Sequence, residues 1–384
     1  MRDEAWAPRR ALTAPANYAK KGEREMSNIA PSHEAPEGPG KQDLRDTPTL
    51  KKQQRERALG AVLGAATGDA LGAPYEFEPP IADSDDVAMA GGGQLGWKPG
   101  EWTDDTAMAI VILRAAAHSE HTAPFERESA LDAIAAGWFQ WSRETPDIGI
   151  LTSNVLLAAL ETAEAHGNSV PSGRDMHEAA RVINKERHHT AGNGGLMRTH
   201  SVVLPHLHAS DDELERAVVA VNTLTHVDLD TIEAAVLWSF AIRHAILTGE
   251  LDVSIGLTRL APERRERWEG LIAEAHSAPP AYFARNGWVI HAFQAAVSAL
   301  WHAGEVPEDK FERRAYFARV LEASVRSGND TDTVAAIAGA LAGAAVGFKA
   351  IDPVWRRALN GWPGFTADDL VQLASAVLER SDAS

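Results

Sequence analysis

From Gln53 onward the chain alternates apolar stretches of roughly 12 to 20 residues with short breaks of Gly, Pro, Asn or Asp. Within those stretches Ala, Leu, Val and Ile recur at three- and four-residue spacing, the period of a helix that buries one face. The pattern predicts helices at 53–72, 103–118, 125–143, 153–165, 175–185, 194–204, 211–224, 228–248, 287–303, 309–327, 331–348 and 366–380. Alternating Val/Ile/Thr runs of strand type are almost absent, so the predicted class is all-α, a compact single-domain multi-helix bundle. No period of about 30 to 45 residues marks a solenoid.

Two of these helices carry glycine every fourth residue: Gly60, Gly64, Gly68 and Gly72 in the first, Gly339, Gly343 and Gly347 near the end. Glycine costs about 1 kcal/mol against alanine inside a helix, so a repeated glycine face needs a compensating gain. Close approach of two backbones supplies one. These are expected to be small-residue packing faces that hold the loops at their ends rigidly.

Residues 1–50 are rich in Pro, Lys, Arg and Glu and show no sustained apolar period, which predicts a disordered extension ahead of a folded region at 51–384. Lys21-Gly22-Glu23 stands just before Met26 and, in a bacterial source, can be encoded by a purine-rich ribosome-binding stretch, so a chain starting at Met26 is expected to fold and act. Composition then narrows the function. With 54 acidic and 37 basic residues the net charge is −17, which argues against general binding of duplex nucleic acid. The absence of cysteine excludes disulfides, thiolate metal sites and cysteine nucleophiles, so a metal would need oxygen or imidazole ligands. The longest strongly apolar run, Val334 to Phe348, is too short to span a bilayer, and no signal-peptide core is visible. A cytoplasmic protein with no membrane partner, favoured as a monomer, is expected.

Two segments carry candidate chemistry. Trp102-Thr103-Asp104-Asp105-Thr106 and Gly328-Asn329-Asp330-Thr331-Asp332-Thr333 each open an apolar helix. Either alone reads as an ordinary helix start, with a Thr cap and acids where the dipole favours them. If the two converge, four carboxylates crowd one site, which demands raised pKa values or bound cations. Hard divalent ions such as Mg2+ or Mn2+ suit that donor set.

Four segments occur in order: Gly60 through Phe77, Lys98 through Thr106, Gly192-Asn193-Gly194-Gly195-Leu196-Met197-Arg198, and Asn329-Asp330-Thr331-Asp332-Thr333. Together they resemble the ADP-ribosylglycohydrolase family, over about residues 55–350. The resemblance implies a helical bundle with a binuclear magnesium or manganese centre. It implies Thr103, Asp104 and Asp105 as ligands from the first helix start, and Asp330, Asp332 and Thr333 from the second. Asp332 is then expected to bridge the two cations. Glu76 falls where the family places a mobile glutamate near the scissile bond, as gate or proton acceptor. The stretch Thr190, Gly192, Asn193 and Gly194 is implied to surround the phosphates of ADP-ribose, with the Thr190 hydroxyl standing in for a serine, and His226, after Thr225, to lie near the adenosine. Asp69 is open between a capping role and substrate contact.

The implied reaction is metal-dependent hydrolysis of the glycosidic bond between ADP-ribose and a modified protein or other conjugate, releasing ADP-ribose. A non-catalytic ADP-ribose-binding member of the fold and a two-metal phosphoester hydrolase are the alternatives. His188 and His189 show no ligand spacing. Gly91-Gly92-Gly93 lacks the ending of a nucleotide P-loop and reads as a flexible rim. Rim loops 78–101 and 144–152 are expected to set the acceptor, and neither carries a diagnostic motif.

Overall fold

The computed structural model describes residues 49–119, 124–187 and 190–382. The expectations placed on the leader, Met26 and His188-His189 therefore fall outside the described residues, apart from Thr49 and Leu50. Leu50 is buried, and its N–H donates to Asp382 Oδ1 at 3.0 Å, so packing against the body of the protein includes this residue just ahead of the predicted boundary.

The apolar periods resolve into helices α1 (Lys52–Gly72), α2 (Asp104–His118), α3 (Glu128–Ser142), α4 (Ile150–Ala165), α5 (Gly173–Glu186) and α6 (Thr199–Val203). They continue as α7 (Asp211–Asn222), α8 (Leu229–Thr248), α9 (Pro262–Ser277), α10 (Val289–His302), α11 (Lys310–Val325), α12 (Thr331–Val346), α13 (Pro353–Ala358) and α14 (Ala367–Asp382). The sheet content among the described residues is one two-residue hairpin, Asn360–Gly361 against Phe365–Thr366. Among those residues no helix is long and apolar enough to cross a membrane.

Every residue of α12 is buried, as expected of a helix that is apolar on all sides. Helices α1, α8, α10 and α11 surround it, and α2 and α14 close the other side of α1. The glycine ladders face one another. A Cβ at Gly64 would run into the Gly339 carbonyl, one at Gly68 into that of Ala335, and one at Gly343 into that of Gly60. At Gly72 it would stand 2.5 Å from the Asp332 Cα, and the Thr331 hydroxyl donates to the Gly72 carbonyl at 2.9 Å. The ladder thus fixes the end of α1 to the start of α12.

Four elements depart from the predicted ones. Helix α9 has no counterpart in the periodicity, because its buried stripe is only Trp268, Ile272 and Ala275 in an otherwise charged segment. The short α13 and the hairpin were too brief to carry a period. The helix predicted at 194–204 is largely a turn. Only α6 is helical there, because Ala191 to Asn193 instead pair with the backbone ahead of α10, through Asn193 N–H to the Gly287 carbonyl (3.3 Å) and Val289 N–H to that of Ala191 (3.0 Å).

Candidate active site

Residues at the two helix starts meet. Thr103 Oγ1 lies 3.1 Å and Thr333 Oγ1 3.4 Å from the same oxygen, Asp105 Oδ2, so α2 and α12 share one carboxylate. The other oxygen, Asp105 Oδ1, is buried without a partner among the described residues. Asp332 belongs to two clusters whose oxygens all lie within 4.8 Å of one another, one with Asp69 and Asp105, the other with Glu76 and Asp147. The backbone at Asp330 is still non-helical (φ −92°, ψ 71°), which lets Asp330 and Asp332 serve one pocket from adjacent turns.

Asp69 resolves as a capping residue. Its Oδ1 accepts the Thr103 N–H (2.8 Å), and its Oδ2 accepts the N–H (2.9 Å) and hydroxyl (2.6 Å) of Thr106. It holds the first turn of α2 from inside the protein, a role invisible in sequence because its partners are far along the chain.

Glu76, Asp104, Asp330 and Thr333 line a cavity of about 440 Å³, while Thr103, Asp105 and Asp332 are buried beneath it. The opposite wall is Thr190, Gly192, Asn193, Gly194 and His226. The residues implied as metal ligands, Glu76 and the implied ADP-ribose contacts are thus within one cleft and its floor. A second cavity of about 540 Å³, bounded by Arg285, Trp288 and Asp228, shares Thr190, Gly192 and Gly287 with the first.

Several local details differ from a simple phosphate cradle. The Thr190 hydroxyl donates to Asn184 Oδ1 rather than into the cleft. Both amide protons of Asn193 are committed, to the Asn286 carbonyl (2.8 Å) and to Asp330 Oδ2 (2.8 Å), so Asn193 braces α12. Gly194, by contrast, faces the cavity with an N–H that has no acceptor among the described residues. The His226 ring lies against this turn, and a Cβ at Gly192 would come within 3.2 Å of its Nε2.

The missed residue is Asp147. It sits in the loop ahead of α4, where its N–H and carbonyl are both bound by the Thr145 hydroxyl (3.2 and 2.7 Å), and it faces the cavity beside Glu76 and Asp332. No periodicity or cap marks it in the sequence. The other loop, 78–101, contributes nothing to the described cavity lining, and Gly92 is closed onto Trp97 by two backbone bonds of 2.7 and 2.9 Å instead of forming a flexible rim. Glu76 is tied in: the Phe77 N–H donates to the Asn329 carbonyl (2.6 Å), the Asn329 N–H to that of Glu78 (2.7 Å), and both Phe77 (φ 67°) and Asn329 (φ 61°) are left-handed.

Burial first, then mutual repulsion, raises the proton affinity of this cluster. Asp104 is pushed up to about 7, with Asp69 and Asp330 adding to the effect of burial. Burial lifts Asp69 to about 6 against its hydrogen bonds from Thr106 and Thr103. Asp105, Asp147 and Asp332 stand well above the ordinary range, and Glu76 rises through burial and the charges of Asp332, Asp147, Asp330 and Asp104. Arg187 lines the same cavity, and behind its wall lies Arg198, buried over the Trp138 ring at 4.3 Å and brought down to about 9 by burial despite Asp104 and Asp105. An orphaned carboxylate oxygen among crowded acids is the donor set that hard divalent cations fit.

A family model described as ADP-ribosylglycohydrolase matches residues 50–384. The chain is 28% identical over 315 residues to the ADP-ribosylarginine hydrolase Tri1 of Pseudomonas putida, covering 79% of this chain and 74% of that protein. It is 29% identical over 313 residues to the ADP-ribosyl-[dinitrogen reductase] glycohydrolase of Rhodospirillum rubrum, covering 79% and 90%. A solved structure described as an ADP-ribosylglycohydrolase-related protein complex aligns with a TM-score of 0.60 at 27% identity, over 86% of this chain and all of that one. With the match spanning the folded region and the motifs gathered in one cleft, the chain belongs to the ADP-ribosylglycohydrolase family.

Proposed function

We propose that this cleft holds ADP-ribose over two divalent cations, Mg2+ or Mn2+, and hydrolyses its bond to a guanidinium acceptor. The observation that carries the reading is the shared position of Asp332, whose carboxylate lies in both oxygen clusters and so can serve two cations at once. Thr103, Asp104, Asp105, Asp330, Asp332 and Thr333 would hold them. Bound there, the cations would supply Lewis acidity and fixed positive charge to the reaction.

The protein's own groups do the rest. The Gly194 N–H and His226 face the ligand side of the cleft and offer donors to oxygen atoms of ADP-ribose. Glu76, which lines the cavity beside Asp332 and Asp147, exchanges a proton with the reacting atoms. Water adds to the anomeric carbon as the bond to the acceptor nitrogen breaks, and the proton lost by water ends on that nitrogen. Asp147 and Glu76 stand together at the cavity beside Asp332, and two oxygen-bearing side chains that accept hydrogen bonds suit the several N–H groups of a guanidinium better than a single serine hydroxyl. The activity named for the Pseudomonas putida relative points the same way.

The test is product analysis on a panel of ADP-ribosylated arginine and serine peptides, with Mg2+ or after chelation. Free ADP-ribose from the arginine peptide, dependent on metal, is expected. AMP or phosphate as product would replace this reading with a phosphoester hydrolase, and binding without turnover would leave a non-catalytic ADP-ribose binder.

A further inference from the structure

Arg198 closes the Gly192-to-Arg198 motif, yet it lies behind the cleft wall, outside the cavity lining, and among the described residues its side-chain bonds go to Met108 and Thr225 rather than to a carboxylate. Its guanidinium is 1% exposed, stacked on Trp138, with Nη1 3.3 Å from Met108 Sδ and Nη2 donating to Thr225 Oγ1 at 2.6 Å. Thr225 Oγ1 in turn is 2.7 Å from His226 Nδ1. A buried arginine is a costly way to pack a core, and its Nε has no partner among the described residues. What it does is organise the next two residues.

A threonine hydroxyl has one proton. The Arg198 N–H occupies the side of Thr225 Oγ1 that faces the core, so a proton turned that way would meet another donor. His226 Nδ1 is the remaining neighbour, and a buried hydroxyl proton left without an acceptor is disfavoured. Thr225 must therefore donate, and Nδ1 must accept through its lone pair. The ring proton then resides on Nε2, the atom that borders Gly192 and has no partner among the described residues. Asn222 fixes the same residue from behind, its Nδ2 donating to the His226 carbonyl at 2.7 Å.

We propose that Arg198 is a positioning residue that, through Thr225, locks His226 as a neutral Nε2–H donor to an oxygen or ring nitrogen of the bound ADP-ribose. The chain of donors runs in one direction, from guanidinium to hydroxyl to imidazole to ligand, and each bond polarises the next. A histidine of the other tautomer would meet the same ligand atom with a lone pair and repel it. The proposal rests on ADP-ribose occupying this cleft.

The experiment uses the Mg2+-loaded protein with nitrogen-15-labelled histidine, His226 being assigned by its loss in His226→Gln. The expected result is a bare Nδ1 and a protonated Nε2 before any ligand is added, with Nε2 responding when ADP-ribose is titrated. Thr225→Val should free the tautomer and weaken ADP-ribose about tenfold, the effect of one lost hydrogen bond. Thr225→Ser, which keeps the hydroxyl, should restore both. Arg198→Met should give mixed tautomers with Thr225 still in place, and the Thr225 pair repeats the test without removing a buried charge. A protonated Nδ1 in the wild-type protein, or wild-type affinity in Thr225→Val, overturns the relay. Should ADP-ribose leave His226 Nε2 unmoved, the ligand assignment falls, while the tautomer measurement still decides whether Arg198 sets the ring.

Discussion

Stripping the metal and raising the pH from 4 to 8 should destabilise this protein, the opposite of what its carboxylates do once cations are bound. A carboxyl whose folded pKa is raised binds its proton more tightly in the native state than in the unfolded chain. Its contribution to stability is therefore fully present below the unfolded pKa and is lost as pH rises through the folded one. For Asp104 the window runs from the ordinary 3.8 to about 7. At about 1.4 kcal/mol for each tenfold change in proton affinity, that group alone withdraws on the order of 4 kcal/mol, a large part of a domain's stability. Asp69, raised to about 6, loses its share within the same window, though neighbouring acids do not add independently. If divalent ions occupy the site as proposed, they would displace those protons and bind the folded arrangement, so the protein with excess Mg2+ should instead gain stability over the same range. Urea denaturation at half-unit pH steps, with EDTA and with excess Mg2+, gives two curves that should diverge as pH rises, and Asp104→Asn should flatten the chelated one. Parallel curves would refute the claim that these acids crowd one another.

Three further outcomes follow from the same geometry. Glu76→Gln should lower kcat by about 10²-fold or more while ADP-ribose affinity, read by calorimetry, stays within about threefold; an unchanged kcat removes Glu76 from proton transfer. Asp332→Asn should abolish the Mg2+-induced rise in Tm and cut turnover by about 10²-fold or more, whereas Glu308→Gln, an exposed acid, should change neither. Gly68→Ala should cost about 1–3 kcal/mol and weaken Mg2+ binding, since its Cβ meets the Ala335 backbone. Gly270→Ala, where nothing lies within 4 Å, should stabilise α9 by up to about 1 kcal/mol, and equal effects at the two glycines would contradict the ladder.

What could be read from the sequence was whatever repeats or caps. Most long helices declared themselves by period, and the acids at 103–105 and 330–333 by standing at two helix starts. Helix α9 did not, because three buried residues in sixteen are too thin a stripe to rise above its charges. Asp147 was hidden in a loop whose conformation is set by Thr145 and whose neighbours are distant in sequence. The split between Asp69, spent on capping α2, and Asp332, open to two oxygen clusters, also needed coordinates, since both are simply buried aspartates near helix ends.

The facing ladders of α1 and α12 have a mechanical consequence. Where backbone meets backbone there are no rotamers to adjust, so the motion left to the pair is a slide along the common axis. Glycine recurs every fourth residue along α1, and α12 meets it with Gly343, Gly339, Ala335 and Asp332 in turn. Along that seam a shift of either helix drives main chain into main chain, so no compliant layer of side chains separates the end of α1 from the start of α12. Surface substitutions, loop exchanges and acceptor docking can load this bundle from outside without detuning the carboxylates by fractions of an ångström.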